Sequence, residues 1–253
     1  MARPRIIPVL LLQGHRLVKT EAFSKPTYIG DPINAVRIFN ELQADELVFL
    51  DIDATKESRL IDLNFVKEVG EEAQMPFSVG GGIRSLEEIR SIIAAGAERV
   101  IIGSFALEDP DFVRRAYEEF GSSTIAVCID YKKKMFGGQK VHSQNGKKSS
   151  SYAVIDFAKL MQEKGAGELI IQSIERDGKM SGYDLGLIRQ VSENVRIPVI
   201  ALGGAKALND LKLAYCDSFA SGVAAGSLFV YQGVHKGVLI SYPDKETIYK
   251  LMS

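Results

Sequence analysis

The chain has no tryptophan, two cysteines and three histidines in 253 residues. Cys128 and Cys216 are too few for a disulfide framework. Neither they nor His15, His142 and His235 fall at metal-ligand spacing. No metal and no cofactor is expected. A dominant charge is also missing. With 31 Lys/Arg against 32 Asp/Glu, nothing pulls the chain as a whole toward nucleic acid or a membrane surface. No apolar run approaches about 18 residues, so no membrane-spanning helix is expected. The run Ile6 to Leu12 leads into Gln13-Gly14-His15-Arg16 instead of a small-residue cleavage site. It predicts a buried first strand, not an export signal, and a cytoplasmic location follows by default. What is present is an ordinary globular mix, 46% hydrophobic and 25% charged.

Short apolar runs alternate with amphipathic segments along the whole chain. The strand candidates are 5–11, 46–51, 76–81, 99–103, 124–130, 168–173, 198–203 and 221–226. Their nearly continuous apolar character suits strands buried on both faces. Eight of them, each followed by a helical pattern, predict one closed parallel (β/α)8 barrel spanning 1–253, a fold that typically needs about 250 residues. Asp31-Pro32 and Asp109-Pro110 mark helix starts, an acidic N-cap before a proline. Ser85 to Glu88 has capping-box spacing. Gly96 and Gly165 sit where helices should stop.

The sequence also echoes itself at a period of about 120 residues. Glu46-Leu47-Val48-Phe49 matches Glu168-Leu169-Ile170-Ile171. Met75-Pro76-Phe77, leading to Gly81-Gly82, matches Ile197-Pro198-Val199, leading to Gly203-Gly204. Gly103-Ser104-Phe105 matches Gly226-Ser227-Leu228. Two half-barrels, about 1–121 and 122–253, would produce this pattern. One stretch departs from it. Residues 132–151 are polar and carry Lys132, Lys133, Lys134, Lys140, Lys147 and Lys148, with turn signals at Gly137-Gly138 and Asn145-Gly146. They predict a flexible hairpin-like excursion after the fifth strand, either a solvated loop or a contact for an anionic partner.

Active sites of such barrels lie at the C-terminal ends of the strands. Those ends carry Leu11, Asp51, Gly81-Gly82, Gly103-Ser104, Asp130, Ser173 leading to Asp177-Gly178, Gly203-Gly204 and Gly226-Ser227. Glycines and small residues let backbone N–H groups approach a ligand closely. The doubled set predicts a ligand with two phosphates, or one long anion bridging the mouth.

Several stretches together resemble HisF, the cyclase subunit family of imidazole glycerol phosphate synthase. They are Arg5-Ile6-Ile7, Leu17-Val18-Lys19, Gly30-Asp31-Pro32, the run Asp45 to Ile52, Val79 to Ile83, Ile129-Asp130, Gly165 to Glu168 and Arg176 to Asp184. The resemblance covers nearly the whole chain and implies the twofold-repeated barrel. It also implies a glutaminase partner that delivers ammonia to the barrel floor. There the family places four charged residues, matching Arg5, Glu46, Arg99 (for the family's lysine) and Glu168. These stand at strand starts, where two cations and two anions can pair and so offset the cost of burial. Neutral ammonia can cross an apolar lining above them; ammonium cannot. Glu98 resembles an acidic residue that touches the glutaminase. Lys19, Asp51 and Asp177 match the family's active-site mouth, with Gly178 beside them.

The opposite end departs from the family. Two aspartates act there as general acid and base. Asp130 matches one; the other position holds Leu11, which cannot transfer a proton. Gln172 stands for a threonine, Leu202 for a serine and Gly103 for an asparagine. The opening Arg3 to Pro8 and the stretch Gly30 to Val36 resemble a branch associated with surface-polysaccharide synthesis. In that branch the barrel and its glutaminase feed ammonia to a separate sugar amidotransferase. Two readings therefore stay open. One is an ammonia conduit for sugar amidation. The other is a true lyase/cyclase acting on phosphoribulosyl-formimino-carboxamide ribonucleotide through Asp130, alone or with Asp51.

Overall fold

In a computed structural model, which describes residues 3–133, 137–233 and 235–252, eight parallel strands close into a barrel. They are β1 (Arg5–Gln13), β2 (Leu47–Asp51), β3 (Phe77–Gly80), β4 (Arg99–Ile102), β5 (Ile125–Lys133), β6 (Glu168–Ser173), β7 (Val199–Leu202) and β8 (Gly222–Ala225). Neighbours in sequence are neighbours in space, and β8 pairs back onto β1. The helices lying outside are α1 (Pro32–Glu41), α2 (Leu63–Glu72), α3 (Leu86–Ala94), α4 (Pro110–Phe120), α5 (Val154–Glu163), α6 (Leu185–Asn194), α7 (Leu208–Cys216) and α8 (Lys245–Met252).

The predicted helix ends behave as their residues dictate. Asp31 accepts from the Asn34 backbone N–H at 2.8 Å, and Asp109 from that of Phe112 at 3.2 Å. Ser85 and Glu88 cap each other reciprocally. Gly96 and Gly165 follow α3 and α5 at φ +111° and +94°, a region that suits glycine.

Strand side chains alternate between two cores. On β1, Ile6 and Leu10 face the helices, whereas Ile7, Val9 and Leu11 face the barrel axis. The larger core lies between strands and helices. The smaller one fills the barrel with Val48, Ile101, Ala126, Ile170, Ile200, Leu202 and Ala224.

One feature was not anticipated. An antiparallel hairpin, Arg16–Glu21 with Ser24–Gly30, extends β1 beyond the barrel rim. Its turn uses Ala22 and Phe23 at φ +49° and +59°, so the sequence carries no Gly or Asn signal for it. The excursion after β5 is a hairpin, as expected, of Gln139–Ser143 and Lys148–Ala153. It is not the free loop of the simpler expectation. Its tip is tied down: the Gln144 backbone N–H donates to Ser104 Oγ at 2.9 Å, Asn145 Nδ2 to the Ile52 carbonyl at 2.7 Å, and Lys132 Nζ to the Gly146 carbonyl at 2.8 Å. Lys134, Met135 and Phe136 lie outside the described residues.

Candidate functional site

The barrel axis has two ends with different chemistry. At the N-terminal floor, the inward positions of β1, β4 and β6 begin with Arg5, Arg99 and Glu168, and Glu46 immediately precedes β2. The four side chains meet. Arg5 Nη1 donates to Glu46 Oε2 at 2.6 Å, and Arg5 Nη2 donates to Glu168 Oε2. Arg99 Nη1 reaches Glu46 Oε1 at 3.1 Å and Glu168 Oε1 at 3.5 Å. The carboxylates are the buried members, at 6% and 7% side-chain exposure, and the guanidiniums form the outer lip at 34% and 22%. Burial pushes the Glu168 carboxyl up, and Arg5 and Arg99 pull against that shift. Ser78, which the sequence reading passed over, donates its hydroxyl to Glu46 Oε1 at 3.0 Å. Its signal was the period-2 register of β3, which turns Ser78 inward. Glu98 is exposed beside the ring, one residue before β4.

Above the ring lies a narrow cavity, with room for about one water-sized molecule, walled by Ile7, Val9, Val48, Ile170, Ile200 and Ala224. Leu50, Ile101 and Leu202 form its upper wall. Leu50 and Ile101 also line the floor of the open mouth above.

The mouth is an open cavity with room of about 130 Å³ for small molecules. Gly81, Gly82, Gly103 and Ser104 form one side of it, with Asp51, Phe105 and Asn145. Gly82 has φ +72°, and an added Cβ would lie 1.8 Å from the Arg59 carbonyl, so only glycine fits. Asp51 is bound up in local structure. It accepts from the Asp53 and Ala54 backbone N–H groups at 3.0 and 3.1 Å, and from Arg59 Nη1 at 2.5 Å. Arg59 was missed because it lies eight residues along the loop, with no motif to flag it.

A second, much smaller cavity is lined by Asp177, Gly178, Gly203, Gly204, Gly226 and Ser227. Lys19 stands against it. Its Nζ donates to the Val9 carbonyl at 2.8 Å, and a Cβ on Gly226 would lie 1.8 Å from that nitrogen. Burial lowers the Lys19 pKa to about 8, while the Asp177 carboxylate works the other way. Asp177 accepts from Thr20 Oγ1 at 2.9 Å; burial raises its pKa against the pull of Lys19 and Thr20.

Asp130 sits at the base of the mouth. Burial pushes its carboxyl up to about 7; the Cys128 thiol opposes that shift and the Asp177 charge adds to it. The Cys128 Sγ lies 3.6 Å from Asp130 Oδ1 and 3.5 Å from Gln172 Oε1. Burial also raises the Cys128 pKa well above the usual thiol range, which keeps it a thiol and not a reactive thiolate. Asp130 and Gln172 are register partners on adjacent strands. Leu11 is on β1, four strands away around an eight-strand barrel, and so faces them across the axis. The only other carboxylate lining the mouth, among the described residues, is Asp51, held by Arg59.

A family model described as "Histidine biosynthesis protein" matches residues 5–236. The chain is 45% identical over 244 residues to a provisionally named imidazole glycerol phosphate synthase subunit hisF2 of Pseudomonas aeruginosa, covering 96% of this chain and 97% of that one. It is 41% identical over 245 residues to a provisionally named subunit hisF3 of Vibrio vulnificus, covering 96% and 94%. It is 39% identical over 234 residues to the imidazole glycerol phosphate synthase subunit HisF of Alkaliphilus metalliredigens, covering 92% and 93%. Sharing a full-length match with all three and a closed eight-stranded barrel, the chain belongs to the HisF family of histidine biosynthesis proteins.

Proposed function

We propose that this HisF-family barrel works as an ammonia conduit. It receives ammonia from a glutaminase docked against the floor, near Glu98, and passes it up the axis. The acceptor at the mouth is a phosphorylated ligand or a sugar amidotransferase of surface-polysaccharide synthesis. The observation that carries this reading is the coexistence of a paired floor and an unpaired rim. Arg5, Glu46, Arg99 and Glu168 neutralise one another below an apolar cavity, while at the top Leu11 faces Asp130 where acid–base chemistry needs a second proton carrier. An apolar lining passes neutral ammonia and opposes ammonium. The glycine-rich loops at Gly81-Gly82 with Gly103-Ser104, and at Gly203-Gly204 with Gly226-Ser227, serve as anion cradles, one from each half of a repeated barrel. Asp177-Gly178 and Lys19 flank the second cradle.

A second reading has its own support. With its carboxyl raised to about 7, Asp130 can give or take a proton near neutrality, as a residual lyase/cyclase would require. The two readings separate in one assay. Purified chain is mixed with phosphoribulosyl-formimino-carboxamide ribonucleotide and excess ammonium salt at alkaline pH. The conduit reading expects turnover about 10²–10⁴-fold below ordinary enzymatic rates, the usual cost of a missing acid/base group. It also expects the Leu11→Asp variant to gain activity. Ordinary turnover by the unaltered chain would overturn it.

A further inference from the structure

Among the described residues, each carboxylate of the barrel axis and mouth has a cation near it except one. Glu46 and Glu168 hold Arg5 and Arg99. Asp51 holds Arg59. Asp177 accepts from Thr20 and feels Lys19. Among the described residues Asp130 has no ion pair, and its one hydrogen-bonding neighbour is the weakly donating thiol of Cys128. A half-buried carboxyl without a countercharge is costly to ionise. It gains most from a small cation that can enter.

The surroundings select which cation. Gln172 lies beside Asp130 in register and is buried, with its Oε1 turned to the same sulfur. The oxygens Asp130 Oδ1 and Gln172 Oε1 therefore flank Cys128 Sγ at 3.6 and 3.5 Å. Across from this polar corner stand Leu11 and Leu50, with Ile101 below. The corner is thus a one-sided set of acceptors, open toward the mouth and placed above the narrow apolar cavity of the axis. A corner made of oxygens and a sulfur suits a cation that donates hydrogen bonds, and ammonium is such a cation.

We propose that Asp130, Gln172 and Cys128 form a resting site for ammonium at the top of the barrel axis, where arriving ammonia is captured and held for its acceptor. This inference rests on the conduit reading for its physiological use, but not for the binding itself. The capture step is a proton transfer. The ammonia lone pair takes the proton of the Asp130 carboxyl: an N–H bond forms, the O–H bond breaks, and an ammonium carboxylate pair remains. When the acceptor is in place the proton returns to Asp130 and neutral ammonia is released for attack. Capture makes transport one-way. Once charged, the nitrogen cannot return down the apolar lining without losing its solvation. Because the carboxyl is already difficult to ionise, returning its proton costs less than it would for an ordinary carboxylate.

The groups that face Asp130 are few. Cys128 is on its own strand, Gln172 on β6, Asp177 on the loop after β6 and Leu11 opposite. Lys19 is committed to the Val9 carbonyl, and Asp51 to Arg59. Among the described residues no fixed cation competes with ammonium for Asp130.

The test follows the Asp130 carboxyl by carbon-13 NMR in the isolated chain, titrated in ammonium chloride, potassium chloride and tetramethylammonium chloride at equal ionic strength. Ammonium is expected to lower the midpoint saturably, and tetramethylammonium to leave it unchanged. The Gln172 side-chain amide signals should shift with the same half-saturation. Gln172→Leu should weaken ammonium binding about tenfold, the usual effect of losing one hydrogen bond to a charged group. Asp130→Asn should abolish the Gln172 response in a protein whose thermal melt stays cooperative. An equal effect of potassium would overturn the assignment to ammonium, and no effect of any salt beyond tetramethylammonium would overturn the site. Nitrogen transfer from labelled glutamine in the complex with a glutaminase is read separately. Its failure, with ammonium binding intact, would sink the conduit and leave the site standing.

Discussion

The floor and the rim of this barrel use the same kind of group, a carboxylate pointing at the axis, and treat it in opposite ways. At the floor two carboxylates are more deeply buried than their partners, yet each bonds to both arginines. At the rim one carboxyl stands beside a thiol and an amide, facing leucine. Buried charge is tolerated when paired and displaced toward its neutral form when not. The difference leaves the floor electrostatically closed and the rim carboxyl displaced toward its neutral form.

Removing one floor carboxylate should have the largest effect. Glu168→Ala leaves Arg5 and Arg99 sharing Glu46 alone. Breaking a largely buried ion pair in this way costs about 3 kcal/mol, measured by urea unfolding at neutral pH. A cost below about 1 kcal/mol would show that the ring behaves like exposed pairs and that the floor is not electrostatically closed.

The rim should respond with the opposite sign. The Asp130 carboxyl is raised to about 7 in the folded chain, so the folded state binds more protons than the unfolded state between about 4 and 7. Its contribution to stability is therefore present below the unfolded value and is lost as pH rises through 7. Asp130→Asn should flatten that decline and stabilise the protein above pH 7, by about 1–3 kcal/mol. The melting temperature would rise by about 2–4 °C per kcal/mol. A destabilised variant at pH 8 would mean that Asp130 has a partner after all.

Placing a second carboxyl at the rim sharpens the comparison. Leu11→Asp exchanges an interior leucine for a group that faces Asp130, which should drive the Asp130 titration higher still. It should lower stability at neutral pH by about 2 kcal/mol, readable by thermal melts. The smallest effect belongs to Ser78→Ala. It removes one donor to Glu46 while both arginines remain, for about 1 kcal/mol by urea unfolding.

Much of this contrast was legible in the chain. Strands buried on both faces announce themselves by continuous apolar runs, and all eight fall where those runs lie. Charged residues at strand starts located the floor, and the C-terminal ends of the strands located Leu11 and Asp130 at the rim. What could not be read depends on contacts distant in sequence or on unusual backbone. Arg59 finds Asp51 across a loop. The Ala22–Phe23 turn adopts left-handed conformations without glycine. The hairpin tip closes on Ser104 from about 40 residues away. The link from Cys128 to Gln172 needs strand register, which no local pattern supplies.

The most direct test of this division is the titration of Asp130 itself, followed by carboxyl carbon-13 NMR in the free chain. The account predicts a midpoint near 7, as expected for a carboxyl held without a countercharge. A midpoint in the ordinary aspartate range near 4 would contradict it, and would make the rim as fully compensated as the floor.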